Sequence, residues 1–335
     1  MTSQPNSTSP SNRRDVFDAT VVENTSICRE HFRLVLRLPV GFPDTFPGQF
    51  VQVACTDAPD DQTDREIEWV EGTFPRFEHD AMLGPVATLR RPFSLAGRAD
   101  FTGGTDLTLI QRTVGAGTNW LSRLKPGDVV SVLGPLGNRF TLPTDNGIAL
   151  LVGGGVGIPP MLYLAEKLVG RKAVAFCGAT TLDLLPFTLT DDAPKPTASS
   201  IAPLYNVREF ATHGVPALLS TDDGSYGYHG YVTQALEQYL DAWITDNADR
   251  NRAVVYTCGP ELMMRRVADI AMRRNIQCQI AVERAMACGM GTCQSCCIKL
   301  KRDPKRDGNA FAGKDWIYKL ACTDGPIFQA TDLLW

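Results

Sequence analysis

The residues best suited to chemistry sit near the carboxyl end. Five of the ten cysteines lie between Cys288 and Cys322, four of them within the run Cys288-Gly-Met-Gly-Thr-Cys293-Gln-Ser-Cys296-Cys297. In a reducing compartment such crowding points to metal binding and not to disulfides. The spacing is C-x4-C-x2-C, the plant-type [2Fe-2S] pattern, which wants a fourth thiolate further on; Cys322 is the one downstream candidate. Soft thiolates suit iron and sulfide, and four of them hold both irons. Gly289 and Gly291 let the loop wrap closely and turn its N–H groups toward the sulfurs. A structural zinc site and a set of unrelated buried thiols are the alternatives; zinc more often uses two C-x2-C pairs, and no second pair is present. Cys297 could replace Cys296, although the x2 spacing favours Cys296. Cys28, Cys55, Cys177 and Cys278 are scattered and read as small core residues.

Two further stretches could hold nucleotides. Leu150-Leu-Val-Gly153-Gly-Gly155-Val-Gly157-Ile-Pro-Pro160 follows an apolar run and opens a helix. Backbone N–H groups at such a turn face a pyrophosphate, and glycine allows it to come close. A tight strand–helix turn without a ligand would read the same way, since the glycines do not form a strict G-x-G-x-x-G. Arg90-Arg91-Pro92-Phe93-Ser94-Leu95 joins a guanidinium for phosphate, a ring to lie beside a flavin and a hydroxyl for a flavin nitrogen. Taken alone it also reads as a plain strand with a surface arginine pair. Val114-Gly-Ala-Gly117-Thr118 offers a second glycine turn for the other end of a flavin pyrophosphate.

The elements that must position these groups fall into segments of different texture. Residues 1–14 are polar and read as a disordered tail, not a signal peptide. Residues 15–145 carry short β-type runs such as Val51–Ala54 and Leu107–Ile110, separated by Gly, Pro and Asp, which suggests an antiparallel barrel. An acidic insertion spans Asp57–Met82. Residues 146–281 alternate strands (Ile148–Val152, Ala173–Phe176, Ala217–Ser220, Ala253–Thr257) with helices, one of them at Glu261–Arg273, and imply a parallel sheet with helices on its faces. Asp191–Ser200 reads as a loop. The turns after Val152, Ser220 and Thr257 should then gather at the carboxyl edge of that sheet. Residues 282–335 are rich in Cys and Gly and too short for a good core of their own, so a metal centre could supply the missing cross-links. The predicted class is multidomain β and α/β.

The order of these motifs resembles the ferredoxin–NADP reductase superfamily. The stretch Glu283–Cys296 followed by Cys322-Thr-Asp-Gly-Pro-Ile-Phe328 is more narrowly similar to the electron-transfer subunit of class 1B dihydroorotate dehydrogenase, over about residues 16–330. The resemblance implies an FAD-binding β-barrel, a Rossmann-like NAD domain and a small [2Fe-2S] domain. Arg91 would meet the FAD phosphates, with Pro92, Phe93 and Ser94 along the isoalloxazine. Leu109, Ile110, Gln111 and Arg112 would line the flavin, and Gly117 and Thr118 would hold its pyrophosphate. Gly154, Gly155 and Gly157 would cradle the nicotinamide dinucleotide, with Cys258, Gly259 and Pro260 near the nicotinamide. Cys288, Cys293, Cys296 and Cys322 would ligate the cluster. In the family reaction electrons leave dihydroorotate at FMN in a separate catalytic subunit, in what would be a heterotetramer, and pass through the cluster and FAD to NAD+ for pyrimidine biosynthesis. No protein general base is expected, because hydride transfer between the rings needs none.

Three features depart from the pattern: Phe93 stands where Tyr is usual, Cys296 and Cys322 are separated by a longer span that includes Lys301–Lys314 as a hairpin insertion, and the acidic insertion is atypical. Asp222 and Asp223 follow the Ala217–Ser220 strand, where NADP-using relatives tend to carry a base; they would repel a 2′-phosphate and favour NAD, unless they are a solvated turn. A bifurcating or hydrogenase-linked reductase subunit, and a zinc-stabilised regulatory protein on a degenerate reductase fold, are the competing readings. With a net charge of −4 and a pI of about 5.6, no nucleic-acid surface is indicated. No apolar run approaches the roughly 20 residues of a spanning helix, so a cytoplasmic location is expected. The four histidines show no metal spacing.

Overall fold

The computed structural model describes residues 14–55, 89–190, 194–303 and 314–335. Most or all of the polar tail, the acidic insertion and the Lys301–Lys314 segment, and the start of the Asp191–Ser200 loop, lie outside the described residues.

The amino-terminal part is a closed antiparallel barrel in the order β1-β2-β5-β4-β3-β6, built from β1 (Asp15–Cys28), β2 (His31–Leu38), β3 (Phe50–Val53), β4 (Arg91–Phe101), β5 (Gly104–Arg112) and β6 (Val129–Leu136). In β2, Leu34, Leu36 and Leu38 alternate inward and fill the interior with Leu107, Leu109 and Val132, all fully or almost fully buried. A short helix, α1 (Ala116–Leu121), follows β5.

The second part is a seven-stranded sheet in the order β10-β9-β8-β7-β11-β12-β15. Its strands are β7 (Ile148–Gly154), β8 (Lys172–Ala179), β9 (Ala217–Thr221), β10 (Tyr228–His229), β11 (Ala253–Cys258), β12 (Gln277–Ala281) and β15 (Ile327–Gln329). β7 is an apolar run buried on both faces, as expected of a central parallel strand. The helices are α2 (Pro159–Glu166), α3 (Arg208–Ala211), α4 (Val232–Trp243), α5 (Asn247–Arg252) and α6 (Glu261–Arg273). α4 buries Val232, Ala235, Leu236, Tyr239 and Leu240, an i, i+3, i+4, i+7, i+8 stripe against the sheet. The chain moves outward from β7 through β8 to β9, then returns to place β11 and β12 on the other side. The order of strands therefore reverses between β7 and β11, and ligands of open α/β sheets bind in the crevice at such a point.

The cysteine-rich segment contributes a hairpin, β13 (Cys297–Lys301) with β14 (Trp316–Leu320). Its last strand, β15, pairs antiparallel with β12 (Ala281↔Ile327) and so joins the parallel sheet. Cys296, Ile298, Leu300, Ile317 and Cys322 share one core with Leu150, Val152 and Val255 of the sheet and with Phe50, Leu133 and Leu136 of the barrel. The sheet and barrel thus supply the core that this segment is too small to build alone. No described helix is long and apolar enough to cross a membrane.

Candidate redox site

The cysteine loop leaves the carboxyl end of β12 and turns at Gly289 (φ +68°) and Gly291 (φ +87°). Left-handed backbone at these two positions folds the chain back on Cys288, whose Sγ accepts the N–H groups of Met290 and Cys293, each at 3.4 Å. An added Cβ at Gly289 would sit 2.6 Å from Gln52 Oε1 on barrel strand β3, and one at Gly291 would sit 3.1 Å from Thr323 Cγ2, beside Cys322. The loop is thus held between the barrel and the arm that carries the fourth cysteine.

The four sequence-predicted thiols are linked in pairs, Cys293 with Cys288 and Cys322 with Cys296 and Cys288. Burial pushes the Cys322 thiol up to about 12, and the neighbouring Cys296 and Cys288 add to the shift. Hydrogen bonding from Ser295, at 3.3 Å between Oγ and Sγ, leads the causes that bring Cys293 down to about 6, with Cys288 contributing next. Cys296 is buried and its carbonyl accepts the Ala321 N–H (3.0 Å), whereas Cys297 begins β13 and is only half-buried. Cys296, in the turn before β13, is the one of the two that acts on the Cys322 thiol. Among the described residues no three His, Cys, Asp or Glu side chains meet closely enough to hold a single metal ion. A two-iron cluster instead divides four thiolates between two metals. The donor chemistry, the burial of Cys296 and Cys322 and the N–H groups turned to the Cys288 sulfur fit such a cluster.

Asn138 is the residue that secures the Cys322 arm, and sequence reasoning missed it. Its Nδ2 donates to the carbonyls of Asp324 (2.8 Å) and Ile327 (2.9 Å), and its Oδ1 accepts the Ile327 N–H (2.8 Å). It follows β6, so the arm is tied to the barrel. Nothing local in the sequence marks it, because its partners lie 186 and 189 positions away.

Arg91, Pro92, Phe93 and Ser94 open β4 and pair with Val53, Gln52, Val51 and Phe50 of β3. The Arg91 guanidinium and the Ser94 hydroxyl have no side-chain hydrogen bond or ion pair among the described residues, which leaves a phosphate donor and a polar hydroxyl available for a flavin. Arg90 is occupied: it donates to Ser131 O (2.7 Å) and Ser131 Oγ (2.8 Å). Phe93 packs partly into the barrel interior. On β5, Leu109 also fills that interior, so its side chain is not on the surface facing the sheet; Ile110 is on that surface, packed with Ala96 and Ile158. Gln111 is buried on the same face of β5 as Leu109, with both amide atoms unpartnered among the described residues, and Arg112 pairs with Glu30 at 2.8 Å. Gly117 is buried, and the Thr118 hydroxyl is engaged in its own turn, accepting from Val114 N (2.9 Å) and Gly115 N (3.1 Å).

The glycine loop divides its labour. Added Cβ atoms at Gly154 and Gly157 would collide with Met263 Sδ and with the Cys258 carbonyl, and one at Gly259 would lie 2.9 Å from Gly154 O. These glycines allow the turn after β7 and the turn after β11 to interlock. Gly155 (φ +53°) is the member with open space in front of it, the cradle a dinucleotide phosphate needs. Pro159 and Pro160 open α2 and bring no N–H groups to its first turn, so the loop itself must supply the donors. Cys258 ends β11 half-buried, packed against the apolar cluster to which Ala96 and Ile110 of the barrel also belong. Burial, with Glu283 nearby, pushes its thiol up to about 12, which keeps it neutral. Pro260 caps α6. Asp222 lies on the same carboxyl edge, its N–H donating to Ala179 O at 3.1 Å; partial burial and the adjacent Asp223 raise its pKa. The predicted gathering of the three turns is therefore present: Gly153 pairs in register with Cys258 and with Cys177, and Thr221 with Ala179.

Residues 283–334 match the family model for the iron-sulfur cluster binding domain of dihydroorotate dehydrogenase B. The chain is 33% identical over 246 residues to the electron transfer subunit of dihydroorotate dehydrogenase B (NAD+) from Caldanaerobacter subterraneus, covering 73% of this chain and 81% of the relative. It is 32% identical over 317 residues to the subunit of the same name from Geobacillus thermodenitrificans, covering 94% and 97%. Among solved structures, an NADH-dependent reduced ferredoxin-NADP oxidoreductase, described in connection with flavin-based electron bifurcation, superimposes with a TM-score of 0.65 at 24% identity, over 95% of this chain and 90% of that one. A cytochrome P450 reductase from Amycolatopsis gives a TM-score of 0.54 at 24% identity, over 79% and 68%. These two show that the fold is shared.

Proposed function

This chain belongs to the family of electron transfer subunits of dihydroorotate dehydrogenase B (NAD+), and from that premise we propose that it carries electrons from an FMN-containing catalytic partner to NAD+ in pyrimidine biosynthesis, the two kinds of subunit forming a heterotetramer. One observation carries the reading: the cysteine loop springs from the carboxyl edge that holds the dinucleotide turns and packs, through Gly289, against the strand paired with Arg91–Ser94. Three cofactor sites thereby share one neighbourhood.

When bound, FAD exchanges a hydride with a nicotinamide and single electrons with a [2Fe-2S] cluster. The residues supply position and electrostatics. Cys288, Cys293, Cys296 and Cys322 hold the cluster, and the Met290 and Cys293 N–H groups bond the Cys288 sulfur. Arg91 would meet the flavin phosphates and Ser94 a ring nitrogen, with Ile110 at the flavin surface and the Gly117–Thr118 turn at the pyrophosphate. Gly155 admits the nicotinamide dinucleotide phosphates, while Gly154, Gly157 and Gly259 let Cys258 and Pro260 approach the nicotinamide. Asp222 discriminates against a 2′-phosphate. Oxidation of dihydroorotate at FMN is, in this proposal, the work of the catalytic partner.

The test is anaerobic purification with iron, sulfide and flavin analysis, followed by titration with NADH. The expected result is bleaching by NADH in the isolated chain and dihydroorotate oxidation only with the FMN partner. A colourless, iron-free protein would overturn the reading.

A further inference from the structure

Gln52 lies in the middle of β3, fully buried, and neither Oε1 nor Nε2 has a hydrogen-bond partner among the described residues. Its backbone is in register with Pro92 of β4 on one side and Leu133 of β6 on the other. Opposed residues of antiparallel strands share a face, as do residues two apart. Gln52 therefore points outward with Phe50, Pro92, Ser94 and Leu133, away from the barrel interior that Val51 and Val53 fill. Phe50, Leu133 and Leu136 on that face are apolar and buried. The cysteine loop fronts the carboxamide at Gly289: an added Cβ there would stand 2.6 Å from Oε1, 2.8 Å from Cδ and 3.1 Å from Leu136 Cδ1. Gly289 is the residue next to Cys288.

A buried, unpaired amide is destabilising, and an apolar side chain of the same length would avoid that cost. Gln52 is thus a donor set into an apolar wall, one residue from a thiolate whose sulfur already accepts two backbone N–H groups from its own loop. Resting on the reading of Cys288 as a cluster ligand, we infer that Gln52 is a hydrogen-bond donor to the iron–sulfur centre supplied by the barrel: a half-turn about its last side-chain bond exchanges the Oε1 that faces Gly289 for Nε2–H and directs it at the sulfur on the Cys288 side. Hydrogen bonds to cluster sulfurs draw off negative charge and raise the reduction potential. Because Gln52 is paired with Pro92 in the flavin-binding stretch, the strand that tunes the centre is hydrogen-bonded to the strand that carries the flavin.

The experiment compares wild type with Gln52→Met, which keeps the length and removes the donor, and with Gln52→Glu, which replaces the donor by an acceptor. Anaerobically prepared holoproteins are assayed for iron, sulfide and FAD, then titrated potentiometrically, with the cluster followed by EPR and the flavin by its visible band. The expected result is a cluster potential shifted negative in Gln52→Met and further in Gln52→Glu, altered EPR g-values and an unmoved flavin potential. The apoprotein of Gln52→Met should melt no lower than wild-type apoprotein, since two unsatisfied atoms are gone. A stable Gln52→Met chain that fails to retain iron also supports the inference. An unchanged cluster potential and EPR signal at full iron content would overturn it, as would a shift confined to the flavin or an apoprotein that melts several degrees lower. Failure of the underlying assignment looks different: wild type itself would lack iron, or Cys288→Ser would keep the cluster.

Discussion

A methyl group at position 157 would fall on the main chain of the neighbouring turn. The nearest atoms to an added Cβ are the Cys258 carbonyl oxygen and carbon and the Gly259 nitrogen, with the oxygen more than an ångström inside the ~3.5 Å of normal contact. None of these is a side chain that can rotate away. β7 and β11 are locked in register from Ala253↔Ile148 to Cys258↔Gly153, so the turn after β11 must lift off the turn after β7. Overpacking of this kind costs about 1–3 kcal/mol or more. At about 2–4 °C per kcal/mol for large domains, Gly157→Ala should lower the melting temperature by roughly 3–10 °C. Gly155→Ala is the matched control. Position 155 has φ +53° and no atom within 4 Å, so alanine there meets only the left-handed backbone cost of about 1–2 kcal/mol and leaves the interlocked turns in place. Its methyl group projects into the proposed phosphate cradle. NADH affinity should fall about tenfold, or ~1.4 kcal/mol. Calorimetry or CD melting with NADH titration of the flavin band separates the two effects. A Gly157→Ala protein that melts and binds like wild type would refute the interlocking argument; a Gly155→Ala protein with unchanged NADH affinity would refute the assignment of the cradle.

Three further outcomes are expected. Cys297→Ser should keep its full iron and sulfide content, whereas Cys296→Ser and Cys322→Ser should lose the visible cluster spectrum, because only Cys296 is placed with Cys322. Asn138→Ala removes three side-chain hydrogen bonds to the Asp324–Ile327 arm, worth about 0.5–1.5 kcal/mol each; iron release to a chelator should accelerate while FAD content holds. Asp222→Asn should raise NADPH use relative to NADH, measured as the ratio of kcat/KM values. Since the Asp222 pKa is raised, its charge is present above that elevated value and lost as pH falls through it, so wild-type discrimination should relax on acidification and the variant's should not.

The local patterns were legible because each is set by neighbours in the chain. The helix expected at Glu261–Arg273 is α6 with the same limits, and the strand expected at Ile148–Val152 is β7 with two glycines added. The C-x4-C-x2-C spacing and its glycines specify a loop that folds onto its own first sulfur. The glycine loop, in contrast, reads as a single phosphate-binding motif, yet Gly154 and Gly157 serve contact with a turn about a hundred residues away and only Gly155 stands open. Leu109 belongs to the run expected along the flavin but fills the barrel interior, since strand alternation assigns it inward.

Sequence alone determined the donor set, the apolar periodicities and the turn chemistry, all of which act over a few residues. Which distant groups meet was left to tertiary structure. Gln52 faces Gly289, Asn138 grips Asp324 and Ile327, and β15 closes the edge of a sheet begun at residue 148. Such pairings depend on how barrel, sheet and cysteine arm share one core. A polar side chain in a short apolar strand signals only that it needs a partner; packing decides which partner that is.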